Sequence, residues 1–531
     1  MDLRTRWLLL AAAAIVLVVH SLAYNFVTDD AYISFVYSRN LAEHGELTFN
    51  LGDHVEGYTN FLWTAVLGVL MVPGIPPEWS SRVLSTACAL ATLLLVTRTV
   101  ERATGRTSAA TALPALLLAC SSGFACWTSG GLETQLFTVL VAGALDGLVA
   151  GSLRRVAICC ALAAMTRPEG PLIVAVLGAA WYLPRLLQRK PPGRDELVAA
   201  AWFLALWAPW FAWRWWYYGW PFPNTYYVKA SGEWSNPSFP SEMHGHGVHY
   251  LWVWLWQTKL VLVSPLAALG LAAPLALTEL RADTPRARLA LACVGLIAFY
   301  VPYTISVGGD FMGLHRFIMP LFVIAAIAVA LGVAWCSERF GADARVAAVV
   351  IASELVLLFA ASQVALTERS LDPRNLEADD GVIDTPAFLI VYTDDRAAIG
   401  RAMEPCFHDD DFSVVGGAGA QPYYGRMRAI DVFGLVSDRV AHQSPRTRPR
   451  AGHTKFASDD IVLSYDPTFV FSCYSLDVTL PARRFNCSPQ AWLSRGYEQV
   501  TMDVPDMQQS GHYYTFFAKK ARHFECPGRV R

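Results

Sequence analysis

The sequence predicts a polytopic α-helical membrane protein of about eleven transmembrane helices, followed by a C-terminal α/β extracytoplasmic domain. Of the 531 residues, 54% are hydrophobic and 16% are charged, whereas soluble domains carry about 25% charged residues. Long apolar runs recur through residues 1–365, and from about residue 366 the composition becomes that of a soluble domain. The formal net charge of -2 offers no basic surface for nucleic acid, so no nucleic-acid partner is expected.

The apolar runs approach the ~20 residues that a helix needs to cross the hydrocarbon core of a membrane. The first run could be a signal peptide, but no small-residue cleavage site precedes Asp29, so we interpret it as a retained anchor. The predicted crossings are approximately 7–26, 79–98, 107–122, 131–150, 154–166, 170–187, 196–213, 259–279, 288–306, 316–336 and 345–365.

Clusters of arginine and lysine give these helices a direction, because such clusters favour the cytoplasmic side of a membrane. They predict a multi-pass protein of the inner or plasma membrane whose N-terminus is cytoplasmic. The loops 27–78 and 214–258 and the C-terminal part, 366–531, are then extracytoplasmic. The run 57–72 is expected to be a helix in the outer interface, because counting it as a membrane crossing would break the rule that positive clusters lie on the cytoplasmic side. The alternative is a true crossing that breaks this rule.

The first outer loop begins with two adjacent carboxylates, Asp29 and Asp30. Apolar and aromatic residues follow at near-helical spacing, which predicts an amphipathic helix along the membrane surface that ends near Gly45. Carboxylates are costly to dehydrate at a membrane edge, so a chemical role is favoured. Such a group could accept a proton from a sugar hydroxyl, or hold a divalent cation that does so. The alternative is a solvated first helical turn, where the helix dipole stabilises negative charge.

Other charged residues lie near the outer ends of the predicted helices and could converge on one cavity. The acidic ones are Glu56, Glu133, Glu169 and Asp310. The cations of the same side could hold a phosphate through charge-assisted hydrogen bonds, and headgroup anchoring is the alternative for each of them. These cations are Arg39, Arg167, Arg214, Lys229 and Arg316.

The second long loop, 214–258, is dense in aromatic residues, which suits anchoring in the membrane interface or stacking against sugars. It also contains His244, His246 and His249. Because Gly245 and Gly247 separate these histidines, we expect a flexible loop here and no zinc site.

The C-terminal part is expected to be an α/β domain with strands at AFLIVYT, FSVVGG, IVLSY, TFVFSCY and HYYTFFA. GGAGA at 416–420 follows one of these strands but lacks the full GxGxxG motif, so we interpret it as a turn. An even number of cysteines in an oxidising compartment predicts two disulfides, and the sequence leaves their pairing open. The candidates are Cys406, Cys473, Cys487 and Cys526.

Six stretches resemble the GT-C class of polytopic glycosyltransferases, and within it the terminal arabinofuranosyltransferases of the AftB type. They are DDAYISFVYSRNLAEHGELTFNLGDHVEGYTNFLW, WTSGGLETQLF, MTRPEG, YYGWPFPNTYYVKA, GGDFMGLHRFIMP and GAGAQPYYGRMRAIDVFGLVSDRVAH. The resemblance implies a GT-C fold, a catalytic Asp29 with Asp30 beside it, and a donor phosphate held by Lys229 and nearby arginines. The same stretches supply further expected cavity residues beside Asp310, namely Tyr58, Asn60, Asn224, Tyr227 and His315.

The sequence is therefore expected to encode a membrane glycosyltransferase with a catalytic domain at 1–365 and a cap at 366–531. The expected donor is a polyprenyl-phosphate sugar, with arabinofuranose as the favoured sugar. The expected acceptor is a glycan, lipid or protein of the cell envelope. Membrane lipid is expected to surround the helices. No cofactor is assigned, and a divalent cation is left open. The alternatives are a GT-C transferase for another sugar or acceptor, such as lipid A or protein O-glycosylation, a lipid-linked sugar transporter, and a sensing receptor or scaffold.

Overall fold

The computed structural model describes residues 3–107, 109–339, 341–374, 383–508 and 511–530, and the chain is mainly helical with one sheet. In chain order the α-helices are α1 (Leu3–Tyr24), α2 (Asp29–His44), α3 (Phe61–Met71), α4 (Pro77–Thr104), α5 (Leu113–Cys120), α6 (Ser122–Ser129), α7 (Thr134–Val149), α8 (Leu153–Thr166), α9 (Gly170–Leu187), α10 (Arg194–Tyr218), α11 (Asn224–Ala230), α12 (Phe239–Gln257), α13 (Leu260–Ala272), α14 (Leu277–Ala282), α15 (Pro285–Ser306), α16 (Met319–Arg339), α17 (Gly341–Ser370), α18 (Pro386–Met403), α19 (Ala420–Gly425), α20 (Asp438–Gln443), α21 (Asp459–Leu463) and α22 (Pro489–Leu493). The strands are β1 (Ser413–Val415), β2 (Ala429–Asp431), β3 (Phe469–Asp477), β4 (Tyr497–Asp503), β5 (Tyr513–Lys519) and β6 (Arg529–Val530).

Several of these helices can cross a membrane. Within the described residues, α1, α4, α9, α10, α15 and the stretch Gly313–Arg339 that contains α16 are long and apolar enough. A seventh crossing results when α12 and α13, which are bent by 90° at a short break, count as one broken span. The predicted crossings at 107–122, 131–150 and 154–166 correspond to shorter helices, α5 to α8, and the one at 345–365 lies in α17. The chain is therefore a multi-pass membrane protein, as predicted.

Two segments of the predicted outer loops form helices, α3 and α12. The apolar run at 57–72 forms α3, whose 11 residues give a length of about 16 Å, too short for a hydrocarbon core of ~30 Å. The second loop, 214–258, was expected to be flexible around Gly245 and Gly247, and this is wrong. These glycines lie within α12, where flanking apolar and aromatic residues sustain a helix.

The contacts divide the chain into two compact units. The first unit, here called the helical unit, comprises residues 1–26, 81–214 and 244–386. The second, here called the mixed unit, comprises residues 27–80, 215–243 and 387–531. The two outer segments 27–80 and 215–243 thus group with the C-terminal part of the chain, whereas the predicted division at residue 365 placed them with the helices.

Close helix packing in the helical unit depends on small residues. A Cβ atom on Gly270 of α13 would lie 2.2 Å from the carbonyl oxygen of Ala328, and a Cβ on Gly332 of α16 would lie 2.2 Å from that of Leu266. Any side chain at these positions would collide with backbone. The two glycines therefore allow α13 and α16 to approach closely, as small residues commonly do between membrane helices.

The mixed unit contains a six-stranded sheet of order β2-β1-β3-β5-β4-β6. β1 runs parallel to β2 and β3, and the remaining pairs are antiparallel. Val414, Val470 and Phe517 belong to the apolar core of this unit. Its disulfides join Cys406 to Cys526 and Cys473 to Cys487, which gives the pairing that the sequence left open.

Two of the five predicted strands are helices instead. AFLIVYT lies in α18 and IVLSY lies largely in α21. Apolar runs this short fit either a strand or a buried helix. For α21 the signal was the preceding Ser458, whose hydroxyl accepts a hydrogen bond from the backbone N–H of Ile461 at 3.4 Å and caps the helix.

Residues 27–80 are attached to the sheet within the mixed unit. The side chain of Asn50 pairs with the backbone of Ala429 in β2, donating from Nδ2 to the carbonyl oxygen at 3.0 Å and accepting at Oδ1 from the N–H at 2.9 Å. α2 ends at Gly45, as predicted, with φ of 74°. Residues 31–38 of α2 are all buried, so the expected amphipathic surface helix is wrong. Packing against α3 and α19 covers its faces.

Candidate active site

Asp29, the first residue of α2, lies in a cradle made by the segment just before α19. Its side chain is buried, and Oδ1 accepts a hydrogen bond from the backbone N–H of Ala420 at 2.8 Å. The contact requires a glycine at 419, because a Cβ there would lie 2.1 Å from the Asp29 carbonyl oxygen and 2.5 Å from Oδ2. The GGAGA segment, which was interpreted as a turn, therefore also holds the candidate catalytic carboxylate.

The surroundings of Asp29 set its charge state. Burial and, to a smaller extent, the neighbouring Asp30 raise the pKa of the Asp29 carboxyl, whereas the N–H groups of Ala420 and Gly419 and the guanidinium of Arg396 lower it. The net result is a pKa of about 6. At neutral pH the group is therefore mostly a carboxylate, with a pKa near the pH at which it would work. Such a group can serve as a general base.

Arg396 of α18 is the charged neighbour that sequence reasoning missed. It is buried, and its guanidinium lies 4.8 Å from the ring centre of Tyr392 and 4.5 Å from that of Tyr474. The Tyr392 hydroxyl and Oδ2 of Asp29 both face Gly417, where a Cβ would lie 2.8 Å and 2.9 Å from them. Because 367 positions separate Asp29 from Arg396, no local pattern could have indicated this neighbour.

Two further predicted residues of α2 are the cation Arg39 and the second acid, Asp30. Arg39 donates from Nη1 to the carbonyl oxygen of Tyr423 at 2.6 Å, and its guanidinium lies 5.0 Å from the Tyr423 ring centre. Burial lowers the pKa of Arg39. Asp30 is half-buried, more open than its neighbour Asp29. The structure thus gives the two adjacent acids different environments.

The other predicted residues of the mixed unit make hydrogen bonds within the fold. The hydroxyls of Tyr58 and Tyr218 are 2.9 Å apart, and Asn60 accepts at Oδ1 from the hydroxyl of Ser34 at 3.1 Å. The Glu56 carbonyl accepts from the N–H of Asn224 at 3.0 Å. These contacts give Tyr58, Asn60 and the Glu56 backbone a role in holding the first outer loop.

Asn224, Tyr227 and Lys229 all lie on α11. Asn224 donates from Nδ2 to Asp438 at 2.9 Å, and the ring centre of Tyr227 is 4.1 Å from that of His442. The Lys229 carbonyl oxygen accepts from Arg446 at 2.7 Å. α11 is therefore attached to α20 and to the segment that follows it.

In the helical unit two of the predicted phosphate-binding cations, Arg167 and Arg316, pair with predicted acidic residues. Arg167 bonds to Glu169 at 2.8 Å and lies 3.7 Å from Glu133. Arg316 pairs with Asp310 at 2.7 Å. Arg167 and its two partners are buried, as is Asp310, whereas Arg316 is half-buried. Because carboxylates already pair with these two cations, they offer a phosphate less charge than isolated cations would.

The two remaining predicted residues of this unit are also buried. His315 Nε2 lies 2.9 Å from Gln257 Oε1, and the Arg214 guanidinium lies 5.5 Å from the ring centre of Phe211. No group of three or more histidine, cysteine, aspartate or glutamate side chains able to hold a metal occurs among the residues that the structure describes. The histidines of α12 accordingly form no such group.

Lys259 lines two cavities of the helical unit. An apolar cavity of about 270 Å³ is lined by side chains such as Leu118, Trp254 and Phe322, and a more polar one of about 570 Å³ by His315 and others. Lys259 lines both cavities, stands at the bend between α12 and α13 with φ of 54°, and is half-buried. Within the described ranges its ammonium group makes no hydrogen bond or ion pair.

The sequence contained a signal for Lys259, because it is a charged residue at the edge of an apolar run. Ionisable residues in membrane segments are rare and commonly functional. A cation that borders an apolar and a polar cavity suits a ligand with an anionic head and a hydrocarbon chain.

The comparisons with known proteins concern the fold. No model of a protein family matches the sequence, and no characterised protein matches it by sequence. The structure is similar to that of ArnT from Cupriavidus metallidurans bound to undecaprenyl phosphate, with a TM-score of 0.58 and 14% identity over 97% of this chain and 98% of that chain. It is similarly close to apo ArnT, with a TM-score of 0.58 and 14% identity over 98% and 99% of the two chains. The likeness extends over the whole chain and confirms the predicted fold class.

Proposed function

We propose that this protein is a membrane glycosyltransferase that uses a polyprenyl-phosphate sugar as donor. The observation that carries this proposal is the likeness, over nearly the full length, to a structure that binds undecaprenyl phosphate. The buried carboxylate of Asp29, with a pKa of about 6, supports it independently. A carboxyl group of this kind suits proton transfer at neutral pH.

In this proposal Asp29 is the general base, with Asp30 beside it. It takes the proton from an acceptor hydroxyl as that oxygen bonds to the anomeric carbon of the sugar. The bond between the anomeric carbon and the phosphate oxygen breaks at the same time. The electron pair leaves with the polyprenyl phosphate, so the reaction needs no oxidant or reductant.

The carrier would occupy the helical unit. Its hydrocarbon chain suits the apolar cavity beside Leu118 and Phe322, and its phosphate suits the ammonium of Lys259 at the cavity border. We therefore propose Lys259 as a phosphate-binding residue of the helical unit, beside the predicted Arg214. Lys229 and Arg39 of the mixed unit remain separate candidates from the sequence. Arg167 and Arg316 are weaker candidates because carboxylates already pair with them.

The sugar and the sidedness are further parts of the proposal. The resemblance to the AftB type favours arabinofuranose as the sugar and a glycan, lipid or protein of the cell envelope as acceptor. We place the reaction on the extracytoplasmic face, with the N-terminus in the cytoplasm. The disulfides of the mixed unit support this orientation, because disulfides persist in oxidising compartments.

The test is transfer by the purified full chain in lipid nanodiscs, with synthetic polyprenyl phosphates that carry arabinofuranose or other sugars. We expect one donor to be used, and Asp29→Asn to lower transfer by roughly 10²–10⁴-fold, the usual contribution of a general base. Asp506→Asn removes a carboxylate from an exposed position and serves as the matched control, with unchanged transfer. Full transfer by the Asp29→Asn variant would overturn the assigned role, and no transfer from any donor would overturn the function.

A further inference from the structure

We propose that Arg396 is a positioning residue that keeps the Asp29 carboxyl ionised. The C-terminal part of the chain would then contribute to the reaction centre and not merely cover it. This inference rests on the proposed function, because it assigns to Arg396 a role toward the carboxylate of Asp29 that acts in the proposed reaction. It concerns residues of the mixed unit alone.

The first support is the burial of Arg396 without an ion pair. Its side chain is 5% exposed, and no carboxylate oxygen in the described part of the chain lies within 4 Å of it. A buried cation is costly unless its charge is compensated. The guanidinium lies 4.8 Å from the Tyr392 ring centre, and the Tyr392 hydroxyl and Oδ2 of Asp29 both face Gly417. Asp29 is also the carboxylate among the groups that act on Arg396, so these two charges compensate one another at longer range.

The second support is that aromatic rings fix the position of the cation. The guanidinium lies between Tyr392 and Tyr474, at 4.8 Å and 4.5 Å from the ring centres. A planar guanidinium stacks on rings in a way that a lysine ammonium does not reproduce. The charge of Arg396 is thus held at one place, and its effect on Asp29 is constant.

The third support is the balance of groups that face Asp29. Asp30 on α2 opposes the ionisation of Asp29. The N–H groups of Gly419 and Ala420 at the start of α19 favour it, as does Arg396 on α18. Tyr392 on the same helix acts on Arg396, as do Tyr474 on β3 and Tyr514 on β5, and burial raises the pKa of the Tyr392 and Tyr514 hydroxyls. These tyrosines stay neutral, so Arg396 is the side-chain cation that offsets the rise in the Asp29 pKa caused by burial.

The first experiment measures the pH dependence of sugar transfer by the wild type, Arg396→Gln and Arg396→Lys. Loss of the charge in the Gln variant should move the acid limb of the profile upward by about one pH unit. The Lys variant keeps a charge without the stacking and should show an intermediate shift. A merely structural role would lower the rate at every pH and leave the limb in place, and this result would overturn the proposal.

The second experiment does not depend on transfer activity. Carbodiimides react with protonated carboxyl groups, so labelling by dicyclohexylcarbodiimide at different pH values, read by mass spectrometry, reports the protonation of Asp29. The full chain is used in an Asp30→Asn background, so that the label in this peptide reports one acid. Because Asp30→Asn removes a group that raises the Asp29 pKa, the midpoint of labelling should lie below pH 6, and it should move upward when Arg396 is replaced by Gln.

The two readouts distinguish failure of this inference from failure of the proposed function. A shifted labelling midpoint without transfer in any protein supports the coupling and refutes the glycosyltransferase activity. Normal transfer with an unshifted midpoint in both Arg396 variants refutes the coupling alone. Where the Gln variant yields no folded protein, as judged by gel filtration, the Lys variant decides.

Discussion

Replacing Asp29 by asparagine is expected to stabilise this protein while it strongly lowers the proposed activity. The native state holds the Asp29 proton more tightly than the unfolded chain, because the pKa is about 6 in the fold and 3.8 in the absence of burial. The native state therefore binds more protons than the unfolded state between these pKa values. By linkage, its stability falls as the pH rises through that interval.

The size of the effect follows from the two pKa values. At pH 7 the buried carboxylate costs about 3 kcal/mol, since each unit of pKa difference corresponds to about 1.4 kcal/mol. At pH 5 the cost is about 1.6 kcal/mol, because much of the native carboxyl is protonated. Asparagine carries no charge, and its carbonyl oxygen can still accept from the N–H of Ala420. The variant should therefore gain most stability at neutral pH.

Thermal unfolding in detergent, followed by tryptophan fluorescence at pH 7 and pH 5, measures this gain. We expect the apparent melting temperature of Asp29→Asn to exceed that of the wild type by several degrees at pH 7, and by about half as much at pH 5. Asp30→Asn removes the same charge from a half-buried neighbour and is expected to change the melting temperature less. A destabilised Asp29→Asn variant at pH 7, or a gain independent of pH, would refute the reasoning.

Three further predictions test the mixed unit. Gly419→Ala places a Cβ atom 2.1 Å from a backbone oxygen of α2 and should lower both transfer and melting temperature, whereas Gly416→Ala, which meets nothing within 4 Å, should change neither. Asp431→Ala removes the acceptor of three backbone N–H groups and should destabilise the protein by roughly 3 kcal/mol or more, measured by denaturant or thermal unfolding. Opening the Cys406–Cys526 disulfide, which spans 120 residues, with Cys406→Ser should cost about 5 kcal/mol and appear as faster proteolysis of the C-terminal part. Unchanged proteolysis would contradict this last prediction.

The sequence by itself determined the class of the protein, the start and end of α2, and three strands of the sheet. These features depend on local patterns. An apolar run of sufficient length is a membrane helix because hydrocarbon excludes unpaired backbone groups, and Gly45 ends α2 because glycine adopts positive φ without strain. The sequence singled out Asp29 as a candidate for the same reason, since two adjacent acids next to an apolar run are conspicuous.

Only the tertiary structure decided what surrounds Asp29. Its N–H donor at Ala420 is 391 positions away in the chain, and Arg396 is nearly as far, so neither leaves a trace in the periodicity around α2. Arg167 shows both cases, because its partner Glu169 is two positions away, whereas Glu133, at 3.7 Å, is 34 positions away and is brought there by the fold. A buried charge requires partners, and the fold, through contacts between distant segments, decides which partners those are.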